Sequence, residues 1–387
     1  LKILLIHTYY QYRGGEDAVF EQEFDLLKRG SEVRALSFHN KTGWRGGFQF
    51  LFSIWNIRAS RKVKQAIMEF KPDIVQIYNW HFATGPVVIR VAKKLNTRLT
   101  LNVANYRLLC PSATLVYHGK LFLRSIEKKG FPWEAVRHRV YRHSYFQTFW
   151  NAFIVFFHSK LGTWKMVDQY IVPTGIVKKL FTNHQSYIGI PAEKIVVKPN
   201  FSTGGSGKVS PRNRHFLYVG RLSEEKGIQV MLDAFENSPH ELIIAGSGPL
   251  LDLVKATCSR FSNITYAGKQ SKEAVREAMN HCTALVFPSI CFETFGLVIS
   301  EAYSNGCPVI ATDIGSPVDL VDEGVTGLHF TSGSAQSLRD LLDLWQGLTD
   351  AEQAQYQKNC ISVYKDLYTP EENQRKLLAI YHSVLYN

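Results

Sequence analysis

Two glutamates eight residues apart, Glu293 and Glu301, stand in the stretch PSICFETFGLVISEAYSNGCPVIAT. An apolar strand, ALVFPS, runs into a loop there, and a helix should begin near Phe295 and Gly296. At such a helix start the unbonded backbone N–H groups of Thr294, Phe295, Gly296 and Leu297 attract an anion, helped by the helix dipole. Gly296 would let that anion approach the backbone closely. Glu301 lies five residues past Gly296, roughly 7 Å along a helix. With a diphosphate at the helix start, Glu301 is placed to accept hydrogen bonds from ribose hydroxyls. Glu293, in the loop, is placed for the hydroxyls of a sugar carried on that diphosphate.

A second stretch, FLYVGRLSEEKGIQVMLDAF, puts Arg221 and Lys226 just beyond a strand end, on a loop entering a helix. The planar fork of an arginine and the compact charge of a lysine together suit a diphosphate. Preplaced cations stabilise the charge that a departing nucleoside diphosphate gains as its glycosidic bond breaks. A third stretch, HTYYQYRGGEDAVF, follows the first strand and opens a helix with Gly14 and Gly15. A Rossmann-like domain brings backbone N–H groups to a phosphate at this place. The full G-x-G-x-x-G is absent, so dinucleotide binding is not indicated. Each piece alone has a plainer reading: surface charges in a loop, a chance pair of glutamates, a glycine turn.

Positioning these groups requires alternating strands and helices. LKILLIH, DIVQIY, RLTLNV and QYIVPT read as buried strands in the first half, and HFLYVG, ELIIAG, NITYAG, ALVFPS and CPVIAT in the second. Helical patterns separate them, which implies parallel sheets with helices on both faces. The expected fold class is therefore α/β, as two Rossmann-like doubly wound domains facing across a cleft. Residues 1–200 would form the first and 214–368 the second, with 201–213, rich in Gly, Ser and Pro, as linker. Ligands of such sheets sit beyond the carboxyl ends of the strands. A last helix over about 369–387 starts with Thr369 as N-cap, Pro370 in the first turn and Glu372 closing a capping box, and is expected to pack on the first domain.

Charge divides the 387 residues unevenly. Residues 1–200 hold 30 Lys and Arg against 12 Asp and Glu, a net +18, whereas residues 201–387 hold 15 against 21, a net −6. Such asymmetry points to an anionic partner for the first half or to solubility alone. No nucleic-acid motif is present, so a nucleic-acid partner is not expected. The six cysteines are scattered without a CxxC pair, which argues against a zinc site or disulfide framework and for a reducing compartment. The opening apolar run reads as a strand rather than a signal peptide. The charge-free run from Ser144 to Phe157 is too short to span a bilayer. A cytoplasmic chain, soluble or peripheral at the inner face of the cell membrane, is the expectation.

These pieces in this order resemble family 4 of the glycosyltransferases, with the two-Rossmann (GT-B) fold, over nearly the whole chain. The most specific marks are VGRLSEEKG and Glu293-x7-Glu301 with TFGLVISEA between. The resemblance implies a retaining, metal-independent hexosyltransferase without cofactor, using a UDP- or GDP-sugar. It implies that Arg221 and Lys226 bind the donor diphosphate, that Glu293 touches the donor sugar, and that Glu301 binds the ribose. It further implies that the Gly14-Gly15 loop closes over the donor. Retention would proceed by front-side attack, the departing phosphate taking the acceptor proton. Base contacts would fall near Gly268 and Lys269.

Two departures stand out. Relatives commonly read T-L-H-N-Y-R where this chain reads Asn102-Val103-Ala104-Asn105-Tyr106-Arg107, so Ala104 occupies the position of the family's histidine. His81 or Asn105 would compensate, or the chain binds a sugar nucleotide without transferring it. Thr294 stands where a glycine often follows the glutamate. On the acceptor side the expected residues are His81, Asn105, Tyr106 and Arg107. Cys110 reads as structural, and His7, at the end of strand one, as core or cleft lining. Residues 118–165 are rich in bases, among them Lys128, Lys129, Arg137, Arg139 and Arg142. Phe146, Phe149, Trp150, Phe153 and Phe157 fall on one helical face. That stripe is either core or a membrane-facing surface suited to a polyprenyl-linked glycan acceptor. A sugar-nucleotide epimerase of similar fold is a further alternative.

Overall fold

The computed structural model describes residues 1–11, 13–128, 130–184, 188–205, 207–209 and 211–386. Lys129 of the basic stretch lies outside them. The chain divides into two units. The first comprises Leu1–Leu115, Phe122–Pro199 and Asn373–Asn387, and the second Val116–Leu121 and Asn200–Glu372.

The first unit is built on strands β1 (Lys2–Tyr9), β2 (Glu32–His39), β3 (Ile74–Ile77) and β4 (Arg98–Asn102). After the hairpin strands β5 (Val116–Tyr117) and β6 (Lys120–Leu121), which group with the second unit, come β7 (Gln169–Val172) and β8 (Ile195–Val197). The sheet runs β2-β1-β3-β4-β7-β8, all parallel. Ile3 to Thr8 of β1 are buried throughout, as an inner parallel strand covered on both faces requires. Chain order reverses between β1 and β3, so the loops after these two strands flank the switch point.

The second unit holds β9 (Phe216–Arg221), β10 (Leu242–Ser247), β11 (Ile264–Gly268), β12 (Leu285–Phe287), β13 (Val309–Thr312) and β14 (Gly327–Phe330). Its order is β11-β10-β9-β12-β13-β14, again all parallel. One face packs Phe235, Val254, Leu342 and Trp345, and the other Met279, Ile299, Tyr303 and Cys360. Chain order reverses between β9 and β12.

The described residues of the stretch 201–213 group with the second unit and are anchored to it at either end, while 203, 204, 207–209 and 211 are exposed. Phe201 is buried, and Tyr364 donates to the Ser202 carbonyl at 3.0 Å. Arg212 donates to the carbonyls of Met279, Cys282 and Asn305 at 2.6, 2.9 and 2.8 Å. A Cβ at Gly205 would lie 1.9 Å from the Ser304 carbonyl oxygen, so the small residues serve close backbone packing. The last helix, Pro370–Tyr386, is capped by Thr369, whose hydroxyl accepts from the Glu372 N–H at 3.3 Å. Beyond Asn373 it packs on the first unit, where Tyr381 donates to Gln76 at 2.7 Å.

Candidate active site

In the second unit the singled-out residues gather on the loops after β9 and β12, on either side of the strand-order reversal. Arg221 ends β9. It is exposed, and among the described residues no hydrogen bond or ion pair occupies its guanidinium. Lys226 closes a short 3-10 turn, Glu224–Lys226, and its ammonium pairs with Glu293. That turn is held against the β12 loop because Gly227 is left-handed, and a Cβ on it would lie 1.9 Å from the Pro288 carbonyl oxygen.

Glu293 is held on several sides. Its Oε1 accepts from Lys226 and, at 2.7 Å, from the Ser289 hydroxyl, while Cys291 Sγ lies at 3.5 Å. Its carbonyl accepts from the Ser316 N–H at 3.0 Å. Gly315, at φ +70°, lets the β13 loop approach, since a Cβ there would lie 2.8 Å from the Glu293 nitrogen. Burial pushes the Glu293 carboxyl up, but the Lys226 charge and the hydrogen bonds from Lys226, Ser289 and Cys291 together outweigh it, and the net pKa falls below the ordinary value. Burial would lower the Lys226 ammonium, yet Glu293, with Cys291 and Glu225 beside it, reverses that and leaves it raised. Both groups therefore stay charged at neutral pH. Sequence reasoning missed Ser289 and Gly315, because a lone serine and a lone glycine carry no spacing signal.

The helix after the β12 loop spans Leu297–Ser304, with Gly296 as N-cap at φ +84° and ψ 70°. A Cβ at Gly296 would sit 3.1 Å from the Phe287 ring. The fold itself thus requires this glycine, quite apart from any ligand. Phe295 is a core side chain, 5.9 Å from the Tyr368 ring. Thr294 and Leu297 flank the cap, half-buried. Glu301 is half-buried too, and among the described residues its carboxylate has neither a hydrogen bond nor an ion pair. Burial raises its pKa, with Lys272 and Arg276 opposing. Gly268, at φ +79°, ends the edge strand β11, and exposed Lys269 follows it. β11 is two strands from β9, about 10 Å away.

In the first unit, Gly14 caps the helix Gly15–Leu27, and its N–H donates to Asp17 at 2.9 Å. Its backbone is extended and a Cβ would meet nothing within 4 Å, so neither conformation nor packing demands glycine there. His7 is fully buried, stacked on Phe20 at 4.4 Å and bonded to Asp17 at 2.7 Å. It anchors the helix start from inside the core. Cys110 is also buried, and Ser125 donates to its sulfur at 3.4 Å.

Ala104 lines a pocket of this unit with Asn102, Asn105, Arg107, Asn79 and Trp80. Asn105 donates to Glu16 at 2.6 Å, and Tyr10 donates to the same carboxylate at 3.0 Å. Burial raises the Glu16 pKa despite these bonds. Arg107 is 8% exposed, with Nε and one terminal nitrogen lacking a protein partner. Tyr106 is a core side chain, 1% exposed, and stacks on Phe181. His81 is buried as well, its Nε2 3.2 Å from Asn151, and burial pushes its pKa well below the usual range. No histidine lines the pocket at Ala104. Tyr106 and His81 thus differ from solvent-facing acceptor groups: their side chains are committed to packing. Among the described residues, no group of three or more His, Cys, Asp or Glu side chains is gathered to hold a metal ion.

Residues 206–361 match the family Glycosyl transferases group 1. D-rhamnosyltransferase WbpZ of Pseudomonas aeruginosa is 29% identical over 167 residues, 42% of this chain and 43% of that protein. O-antigen chain mannosyltransferase C of Escherichia coli is 26% identical over 175 residues, 44% of this chain and 47% of that protein. The chain thus spans less than half the length of either relative. The structure of HepE from Anabaena in complex with UDP superposes with a TM-score of 0.69 at 18% identity, over 99% of this chain and 100% of that one. The fold is GT-B, and its second unit carries a glycosyl transferases group 1 segment.

Proposed function

We propose that this chain is a retaining glycosyltransferase. It moves a hexose from a UDP- or GDP-sugar to a glycan or lipid-linked glycan in envelope polysaccharide assembly. The observation that carries the donor site is Glu301, a half-buried carboxylate without a partner among the described residues, on the helix capped by Gly296. Burying such a group without donors costs free energy that ligand hydroxyls would recover. The ribose hydroxyls supply those donors. The partnerless Arg221 and the Lys226 ammonium then take the diphosphate at the helix start. The relatives named for rhamnosyl and mannosyl transfer, and the UDP held by HepE, support this reading.

In the reaction the bond between the anomeric carbon and the diphosphate oxygen breaks. The acceptor oxygen bonds to that carbon from the same face, and its proton passes to the departing phosphate oxygen. Arg221 and Lys226 stabilise the charge developing on the leaving group. Glu293, fixed by Ser289 and Lys226, holds the sugar hydroxyls in register with the bond that breaks. In this reading the chain needs no metal ion or cofactor, and Gly268 and Lys269 contribute base contacts.

A second reading is favoured by the pocket at Ala104, which holds no histidine: the chain binds a sugar nucleotide without transferring the sugar. Calorimetric titration with UDP, GDP and ADP, beside Glu301→Ala, tests the donor site. Binding of one nucleotide, lost in the variant, is the expected result. No binding at millimolar concentration overturns it. Turnover of a sugar nucleotide by the unaltered chain separates transfer from binding alone.

A further inference from the structure

The first unit carries a surface that folding leaves uncovered. The helix Gly43–Phe52 buries only Phe50. Trp44, Phe48, Leu51, Phe52 and, in the turn that follows, Trp55 recur at helical spacing and are exposed, Trp44 by 71% and Phe52 by 64%. An amphipathic helix in a globular core turns its apolar stripe inward; this one turns it outward. Trp44, Phe48 and Phe52 form a continuous ladder, with ring centroids 6.0 and 6.2 Å apart.

The helix Tyr145–Lys160 lies alongside. Trp150 donates to the Phe50 carbonyl at 2.9 Å, His158 bonds the Ile54 carbonyl at 2.7 Å, and Phe146 sits 6.4 Å from the Phe50 ring. Its buried face is Thr148, Asn151, Ala152, Ile154, Val155 and His158. The stripe Phe146, Phe149, Trp150, Phe153 and Phe157 is therefore not the core face. It is only partly covered, and Phe146 is 55% exposed. Two aromatic stripes thus adjoin in one patch, where a monomeric soluble surface seldom leaves so many large apolar groups together.

Charge selects the occupant. Residues 33–68 contain no Asp or Glu and seven Lys or Arg, and residues 135–167 contain none and five. Lys41, Arg45, Arg58, Arg61, Lys62 and Lys64 are exposed and, among the described residues, in no ion pair. A patch of Trp and Phe bordered by unneutralised cations is repelled by a second copy of the same basic face. It complements a bilayer interface, where aromatic rings seat at headgroup level and cations meet anionic lipid.

We infer that the helix Gly43–Phe52 and the adjoining aromatic stripe of the helix Tyr145–Lys160 form a docking face for an anionic membrane surface. This deepens the lipid-linked reading of the acceptor but stands on its own observations. The test is co-sedimentation of the full chain with vesicles of equal parts phosphatidylcholine and phosphatidylglycerol, against phosphatidylcholine alone. The chain sediments with the mixed vesicles at low salt and much less with the neutral ones. The variant W44Q/F48Q/F52Q weakens binding roughly tenfold or more. Because these three side chains are exposed, its thermal melt and its nucleotide titration stay those of the parent. Should that variant fail to fold, R45E/R61E/K62E serves instead, and it loses binding to the mixed vesicles. Failure of the parent to sediment, or equal sedimentation of a folded variant, overturns the inference. So does a dimer in sedimentation equilibrium that the first variant dissolves, because the face then belongs to a second copy. A chain that binds vesicles but no nucleotide keeps this inference and loses the proposed donor site.

Discussion

Each unit is built on a six-stranded parallel sheet with one reversal of strand order, but the strand orders differ and so does the chemistry the loops present. In the second, Arg221, Lys226 and Glu293 stand on loops directly after β9 and β12, and Glu301 on the helix that follows. Charged groups there are either paired with each other or left without a partner. In the first, the loop after β4 presents Ala104 and a nearly buried Arg107, while His7 and His81 are packed into the core. A switch point positions whatever the loops carry. It supplies chemistry only where the loop residues are polar and reachable. The second unit thus gathers the groups suited to binding and charge stabilisation.

The largest expected effect breaks this contrast at its strongest point. Lys226→Ala removes a preplaced cation and lowers kcat by about 10²–10³-fold, the scale of losing one transition-state donor. Steady-state kinetics at saturating sugar nucleotide check this. An unchanged kcat would leave the Lys226–Glu293 pair a purely structural one.

The same pair gives a stability prediction. Glu293 has a depressed folded-state pKa, so its contribution is present above its unfolded pKa and is lost as pH falls through the folded one. Lys226 has a raised one, so its contribution is present below its unfolded pKa and is lost as pH rises through the folded one. Between these limits both act together. Glu293→Gln strands the ammonium and costs about 1–3 kcal/mol at pH 7. Urea unfolding at neutral and acid pH reads this, and the difference should shrink in acid, where the parent carboxyl is also protonated.

On the other side of the comparison, Ala104→His puts an imidazole into the pocket of the first unit. A hydrogen bond from that imidazole to the reacting sugar, worth about 1 kcal/mol, speeds turnover about five- to tenfold, measured by release of the nucleoside diphosphate. If only the variant turns over, the unaltered chain is a binder.

Much of this contrast was legible in the sequence, and the exceptions have physical causes. The inner strands were readable because strands covered on both faces are continuous apolar runs, as in KILLIHTY. The unread strands β2, β8 and β14 are all at sheet edges. β2 alternates irregularly between exposed and half-buried residues, β8 has three residues, and β14 contains Gly327 and His329. The helix start at Gly296 was legible because a strand end, a glycine and an apolar helix follow one another within a few residues. The outward stripe of Gly43–Phe52 was not, because periodicity reports that a helix has an apolar face and not which way that face turns.

The smallest expected effect sharpens the comparison at Glu301. Glu301→Gln keeps the shape and removes the charge, so ribose binding weakens by about three- to tenfold. Isothermal titration with the preferred nucleotide measures it. Stability moves the other way. Burial raises the folded-state pKa of Glu301 above its unfolded value, so the folded chain binds more protons between the two. The stability this group contributes is present below the unfolded pKa and is lost as pH rises through the folded one. As pH rises through the folded pKa the parent comes to bear the cost of an ionised, half-buried carboxylate, and the glutamine variant does not. A variant that is more stable yet binds nucleotide less tightly marks a residue kept for its ligand. A variant that loses stability with its affinity unchanged would return Glu301 to the packing of its helix and remove the observation on which the donor site rests.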